Sequence, residues 1–215
     1  MKNHLRPNLT ALVLAGGLSS RFGSKKALTA LSGRTLIRYV VDRISQIAGE
    51  TIVVIGRGES PEDFLRALPT SVNLLNDDLE GKTPLIGILT GLRAVETDYA
   101  VVLSCDIPFI NWKVIELLYA RASGNDAAIP RWESSKIEPL EAVYRAPPMI
   151  KATERALASG RLSILDAIEG LDRVVYVSVE DDIRKIDPTL ETFFNINTKA
   201  DLALAERMLS GKGTA

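Results

Sequence analysis

Leu9-Thr10-Ala11-Leu12-Val13-Leu14-Ala15-Gly16-Gly17 sets the frame for the rest of the chain. Six residues, apolar but for Thr10 and free of turn formers, run into an alanine and two adjacent glycines. This is the pattern of a strand buried on both faces that ends in a tight turn, and such strands belong to parallel sheets covered by helices. Similar short runs rich in β-branched and apolar residues recur at 51–55, 72–75, 99–104, 126–129, 141–144 and 174–179. Between most of them the apolar spacing is helical. Leu36, Ile37, Val40, Val41, Ile44 and Ile47 form a stripe behind a candidate Thr35 cap, and Leu85, Ile88, Leu89 and Leu92 form a second. Val114, Ile115, Leu117 and Leu118 follow Asn111, a good N-cap residue. Ser163 with Asp166, and Thr198 with Asp201, have capping-box spacing.

Strand–helix alternation of this kind predicts an α/β domain spanning 1–215, with a mostly parallel sheet between two helical layers. The second half is less regular. Residues 131–138 are polar, and Ala146-Pro147-Pro148 reads as a break in any element. An excursion carrying an antiparallel strand is expected there, with 203–215 as the end of a terminal helix and a flexible tail whose last part, 210–215, is small and polar.

Composition narrows the chemistry. A formal net charge of −1 argues against a general nucleic-acid binder, which needs a basic surface. No apolar run reaches the ~18 residues of a membrane span, and the polar stretch 1–8 has no signal core. The one cysteine, Cys105, cannot form an intramolecular disulfide, so the cytoplasm is the expected location. The one histidine, His4, lies in the polar leader, which removes histidine triads and histidine-rich metal sites from consideration.

Open α/β sheets bind ligands beyond the carboxyl ends of their strands. After the first strand stand Ala15, Gly16, Gly17, Ser19, Ser20, Arg21, Gly23 and Lys26. Adjacent glycines expose backbone N–H groups, the serines add hydroxyl donors, and Arg21 and Lys26 add fixed positive charge, so the loop reads as a polyphosphate cradle. It is not a Walker A loop, because five residues rather than four separate Gly17 from Gly23 and Ser24 follows; nor does it carry the dinucleotide fingerprint. After the run 99–104 comes Cys105-Asp106-Ile107-Pro108-Phe109. A carboxylate fixed at a strand end suits Mg²⁺, which takes one or two carboxylates and completes its shell with water and phosphates. The alternative, Asp106 as a cap of the following helix, is met better by Asn111. Cys105 reads as a packed strand residue. Asn195 and Asn197 sit two apart, so in an extended chain both amides face one way; taken alone they read more readily as turn residues ahead of a capped helix.

Leu14-Ala15-Gly16-Gly17, with Arg21-Phe22-Gly23 and Lys26-Ala27-Leu28, resembles the signature loop of the MobA-like molybdenum cofactor guanylyltransferases. The segments C-D-x-P-F at Cys105 to Phe109, P-L-x-A-x-Y at Pro139 to Tyr144 and N-x-N-T-x-x-D-L at Asn195 to Leu202 agree with it. The resemblance spans 9–202 and implies a three-layer α/β/α Rossmann-like nucleotidyltransferase fold. It also implies transfer of GMP from GTP to molybdopterin or Mo-molybdopterin, with Mg²⁺ as cofactor and pyrophosphate released. In that family the loop binds the nucleotide, which assigns Leu14, Ala15, Gly16, Gly17, Ser19, Arg21 and Lys26 here. Arg21, Lys26 and Asp106 are the implied catalytic residues, Asp106 being the metal ligand. The family's Asp followed by G-P-L-A-G matches Asp77 or Asp78 with Pro84 and Leu85 on the base side, and departs at Thr83 and Ile86, which weakens the preference for guanine. Asn195 and Asn197 fall on the acceptor side, so 9–110 becomes a nucleotide half and 111–202 an acceptor half. Arg161 reads as a phosphate contact or a surface arginine. Molybdoenzyme maturation proteins are further expected partners, with neither nucleic acid nor membrane among them. Use of CTP, a phospholactate or sugar-phosphate acceptor, or a non-catalytic delivery role are the rival readings.

Overall fold

The computed structural model describes residues 5–16, 25–77 and 83–212. The strands are β1 (Arg6–Leu14), β2 (Ala30–Leu31), β3 (Arg34–Thr35), β4 (Ala48–Ile55), β5 (Asn73–Asn76), β6 (Tyr99–Ser104), β7 (Ala127–Arg131), β8 (Glu141–Arg145) and β9 (Val174–Ser178). The helices are α1 (Leu36–Ile44), α2 (Pro61–Leu65), α3 (Pro84–Arg93), α4 (Trp112–Ala122), α5 (Ala146–Ala158), α6 (Ile164–Ile168) and α7 (Lys199–Lys212).

Among the described residues the main sheet has seven strands, in the order β5-β4-β1-β6-β8-β7-β9. β1 pairs in parallel with both β4 and β6, so it lies where the chain's winding reverses. β8 is the expected antiparallel strand, inserted between β6 and β7. Its two-residue period divides β1 between two cores. Leu9, Ala11 and Val13 pack with Ile37 and Val40 of α1 and Val114 and Ile115 of α4. Leu12 packs on the opposite face with Leu85, Ile88 and Leu92 of α3 and Met149 and Ala152 of α5. Each fully buried Leu or Ile contributes roughly 1.5–3 kcal/mol over an exposed one, and their density explains the three-layer arrangement. The packing is tight: a Cβ on Gly91 of α3 would lie 2.1 Å from Leu12 Cδ1.

A third cluster joins Leu31 and Leu36 to Phe109, Ile196 and Ala205 of α7. It pins the chain ahead of α7 across the β2–β3 hairpin, whose two-residue turn has positive φ at Ser32 and Gly33 as tight hairpins require.

Several expectations need correction. Ala146-Pro147-Pro148 begins helix α5 rather than breaking the chain, because proline is tolerated in the first turn, where N–H groups have no intrahelical partner. The helical C-terminus runs to Lys212, and the Ser210 hydroxyl donates to the carbonyls of Glu206 and Arg207, so 210–212 are not tail; 213–215 lie outside the described residues. Thr35 precedes α1, but its buried hydroxyl has no hydrogen-bond partner and caps nothing. The first strand starts at Arg6, which pairs with Ala48 and forms an ion pair with Glu116. Among the described residues, no helix is long and apolar enough to cross a membrane.

Candidate active site

Lys26 opens a single 3-10 turn just before the hairpin. Its Nζ forms an ion pair with Asp106 Oδ2 and donates to Asn197 Oδ1 at 2.8 Å. The lysine and aspartate side chains are 14% and 12% exposed, shielded enough for charge to act strongly and open enough for a ligand to enter. Three distant chain segments meet here, and each is held by local structure. β6 delivers Asp106, whose Oδ1 accepts from the Ser104 hydroxyl and whose carbonyl accepts from Ile196 N–H at 2.9 Å. Ile196 is fully buried in the third cluster, which fixes the neighbouring Asn197. The Thr198–Asp201 capping box forms as expected: Asp201 Oδ2 accepts from the N–H groups of Asn197 and Thr198, and its own N–H donates to Thr198 Oγ1. Those contacts, led by the Asn197 N–H, lower the Asp201 pKa.

Asn195 does not share this pole with its neighbour. Its amide donates to the Phe193 carbonyl at 3.1 Å, because 194–197 is irregular rather than a strand. Asn111 caps α4 by accepting from Lys113 N–H, so Asp106 has no capping duty. Cys105 is a buried thiol with its pKa pushed up to about 12, chiefly by burial and then by Asp106, as suits a packed strand residue.

The root of the glycine loop lies beside this group. Cys105 N–H donates to the Leu14 carbonyl at 3.2 Å, and Ala15 N–H to the Val54 carbonyl at 2.8 Å. Gly16 touches the end of β4: a Cβ there would stand 2.6 Å from the Gly56 nitrogen. Gly17, Ser19 and Arg21 lie outside the described residues, as does Asp78. Asp77 continues from β5, its N–H bonded to the Ile55 carbonyl and its Oδ1 accepting from Thr90 of α3 at 2.8 Å. Pro84 and Leu85 form the first turn of α3; Pro84 is exposed, while the Leu85 side chain is fully buried in the core. Thr83, a departure from the family pattern, caps that helix through Leu85 N–H and donates to the Leu162 carbonyl. Arg161 faces Glu169 at 3.7 Å.

Two residues escaped the sequence reading. Gly56 is visible only as the backbone against which Gly16 rests. Glu141, the first residue of β8, is 5% exposed, and its Oε2 has no hydrogen-bond partner. Burial raises its pKa well above the usual range, Glu138 and Asp106 add to the effect, and Lys136 opposes it. A charged residue inside an otherwise apolar strand, Glu141-Ala142-Val143-Tyr144, was the available signal.

A family model described as the MobA-like NTP transferase domain matches residues 11–174. The chain belongs to the MobA-like NTP transferase family. A Methanosarcina mazei protein named "Probable molybdenum cofactor guanylyltransferase" is 36% identical, covering 94% of this chain and 91% of its own length. The "Molybdenum cofactor guanylyltransferase" of Desulfosudis oleivorans is 34% identical over 92% of this chain and 94% of its own. The crystal structure of molybdopterin-guanine dinucleotide biosynthesis protein A from Archaeoglobus fulgidus superposes with a TM-score of 0.78 at 34% identity, covering 94% and 99% of the two chains. A Thermus thermophilus 2-C-methyl-D-erythritol 4-phosphate cytidylyltransferase shares the fold at a TM-score of 0.68 and 20% identity. This MobA-like chain is therefore a nucleotidyltransferase, and the Lys26–Asp106–Asn197 group stands beyond the carboxyl ends of β1 and β6, where an open α/β sheet places its ligands.

Proposed function

We propose that this chain transfers GMP from GTP to molybdopterin or Mo-molybdopterin, releasing pyrophosphate with Mg²⁺ as cofactor. The observation that carries the reading is the meeting of Lys26, Asp106 and Asn197 at the reversal point of the sheet, in a chain whose relatives are named for guanylyl transfer. Residues 9–110 form the nucleotide half and 111–202 the acceptor half.

The donor set suits Mg²⁺. Asp106, Asn197 Oδ1 and Ser104 Oγ are hard oxygens, and a buried carboxyl oxygen on Glu141 has no partner nearby. Among the described residues no three acidic, cysteine or histidine side chains converge on one point. Asp106 would hold the cation, with Asn197 Oδ1 as a further oxygen beside it, and water and substrate phosphates would complete its shell. When bound, Mg²⁺ supplies positive charge against the phosphate oxygens.

Lys26 serves the triphosphate, and Arg21 of the same loop shares that work, their charges stabilising pyrophosphate as it leaves. Leu14 and Ala15, tied into the sheet by β1 and by the Ala15 N–H bond to the Val54 carbonyl, anchor the loop whose Gly16, Gly17 and Ser19 serve the phosphates. Asp77, oriented by Thr90, accepts from guanine N1–H and the 2-amino group, beside Pro84 and Leu85. Asn197 serves the acceptor side, while the Asn195 amide is taken up by the Phe193 carbonyl. One oxygen of the acceptor phosphate bonds to the α-phosphorus as the bond to the β-phosphate bridging oxygen breaks. That nucleophile is already ionised, so positioning and charge neutralisation suffice and no histidine base is needed.

The test is incubation with each of the four nucleoside triphosphates, Mg²⁺ and molybdopterin, followed by pyrophosphate assay and mass spectrometry. GTP-dependent pyrophosphate release with formation of the guanine dinucleotide is expected. Turnover of CTP in its place, or tight GTP binding without pyrophosphate under any acceptor, overturns the proposal.

A further inference from the structure

Glu141 occupies a position where a carboxyl group does nothing for the fold. β8 runs antiparallel to β6 and begins where β6 ends, so Glu141 lies opposite Leu103 at the end of the sheet that carries Asp106. Val143 and Leu103 belong to one core and Ala142 and Tyr144 to the other, so the period of two places Glu141 on the side of Leu103 and Cys105. It is 95% buried, and Oε2 meets no donor. Leaving a buried carboxyl oxygen unpaired costs stability, and a leucine or glutamine of similar size would avoid an ionisable group there.

The surrounding charges sharpen the anomaly. The groups acting on Glu141 are Asp106 from the end of β6 and Glu138 and Lys136 from the segment leading into β8. Lys136 donates to Glu138 at 2.8 Å, and Trp132 Nε1 donates to the same oxygen at 2.7 Å. The nearby lysine is thus engaged by Glu138, while the two acids add negative potential at Glu141. A buried oxygen ligand with no partner beside the Asp106 carboxylate suits a hard divalent cation better than any group the chain itself provides.

We propose that Glu141 is a second carboxylate of the cation site at Asp106, its orphaned Oε2 meeting the bound cation directly or through one of the cation's waters. This rests on the reading of Asp106 as the metal ligand and adds a residue to it. Its role is charge and positioning at the cation, not contact with the nucleotide.

The test is titration of Mn²⁺ alone, followed by the electron paramagnetic resonance signal of free Mn²⁺, into the wild-type chain, Glu141→Gln and Asp106→Asn. Both variants are expected to bind Mn²⁺ on the order of 10-fold more weakly or worse, with the Glu141→Gln chain folded as judged by circular dichroism. Wild-type affinity in Glu141→Gln beside weakened binding in Asp106→Asn overturns the inference and leaves the Asp106 reading standing. Wild-type affinity in Asp106→Asn overturns both. If Glu141→Gln fails to fold, the similar-sized Glu141→Leu chain decides: Mn²⁺ binding weakened on the order of 10-fold in a folded chain supports the proposal, and wild-type affinity overturns it.

Discussion

Gly16→Ala adds one methyl group where the chain has no room for it. The new Cβ would stand 2.6 Å from the Gly56 nitrogen, 2.8 Å from its Cα and 3.2 Å from the Ile55 carbonyl carbon. The first distance is 0.8 Å short of the 3.4 Å at which ordinary van der Waals contact begins. All three atoms are backbone at the end of β4, which is locked to β1 by the parallel ladder, so no rotamer change relieves the overlap. The two segments must part. Overpacking of this kind costs about 1–3 kcal/mol, or roughly 3 °C in Tm per kcal/mol for a chain of this size. Function should suffer more than stability, because Gly16 roots the loop proposed to hold the phosphates and a misplacement near 1 Å costs on the order of 10²-fold in rate. Gly56→Ala is the internal comparison: its Cβ would meet the Glu59 side chain at 3.2 Å and Gly16 Cα at 3.4 Å, a milder insult. The assays are kcat/KM for pyrophosphate release and a thermal melt. A Gly16→Ala chain with wild-type kcat/KM and Tm, or one no worse than Gly56→Ala, refutes the reasoning.

Lys26→Met and Asp106→Asn should each lower single-turnover transfer by on the order of 10²-fold or more while leaving a cooperative melt; undiminished transfer removes the altered residue from the chemistry. Gly91→Ala should destabilise by about 1–3 kcal/mol through collision with Leu12, read as a lower denaturant midpoint with nucleotide affinity unchanged. Thr83→Ala removes the α3 cap and the contact to Leu162, and should cost about 1 kcal/mol; an unchanged melt shows that the cap is idle. For Glu141, burial raises the pKa, so the folded chain keeps a proton that the unfolded chain loses. That stabilisation is complete below about pH 4.3 and is lost as pH rises toward the folded value. The Tm of Glu141→Gln relative to wild type should therefore improve as pH rises above about 4.3, and a difference constant with pH contradicts this assignment.

The parallel sheet was legible because strands such as 9–14 and 99–104 are apolar nearly throughout and end at turn formers, and both survive as β1 and β6. The caps at Asn111, Ser163 and Thr198 were legible too, since their polar side chains satisfy N–H groups only a few residues away. What failed was chemistry that depends on distance. Pro147 and Pro148 look like helix breakers until the first turn of α5 is known to start there. Thr35 has the residue type and the backbone of a cap, yet tertiary burial leaves its hydroxyl without a partner. In the site, Lys26 and Asp106 could be named from their segments, but their pairing spans 80 residues and only the fold shows it. The spacing of Asn195 and Asn197 assumed an extended chain; the irregular backbone turns Asn195 toward Phe193 and leaves Asn197 on Lys26. Glu141 needed the antiparallel register of β8, which brings the start of that strand to the end of β6.

A crystal of the chain with a non-hydrolysable GTP analogue and Mn²⁺, with data at a wavelength where manganese scatters anomalously, tests the placement most directly. The expected result is a manganese peak against the Asp106 carboxylate with the triphosphate in hydrogen-bond reach of Lys26. Nucleotide density away from the ends of β1 and β6, or manganese bound without Asp106, contradicts it.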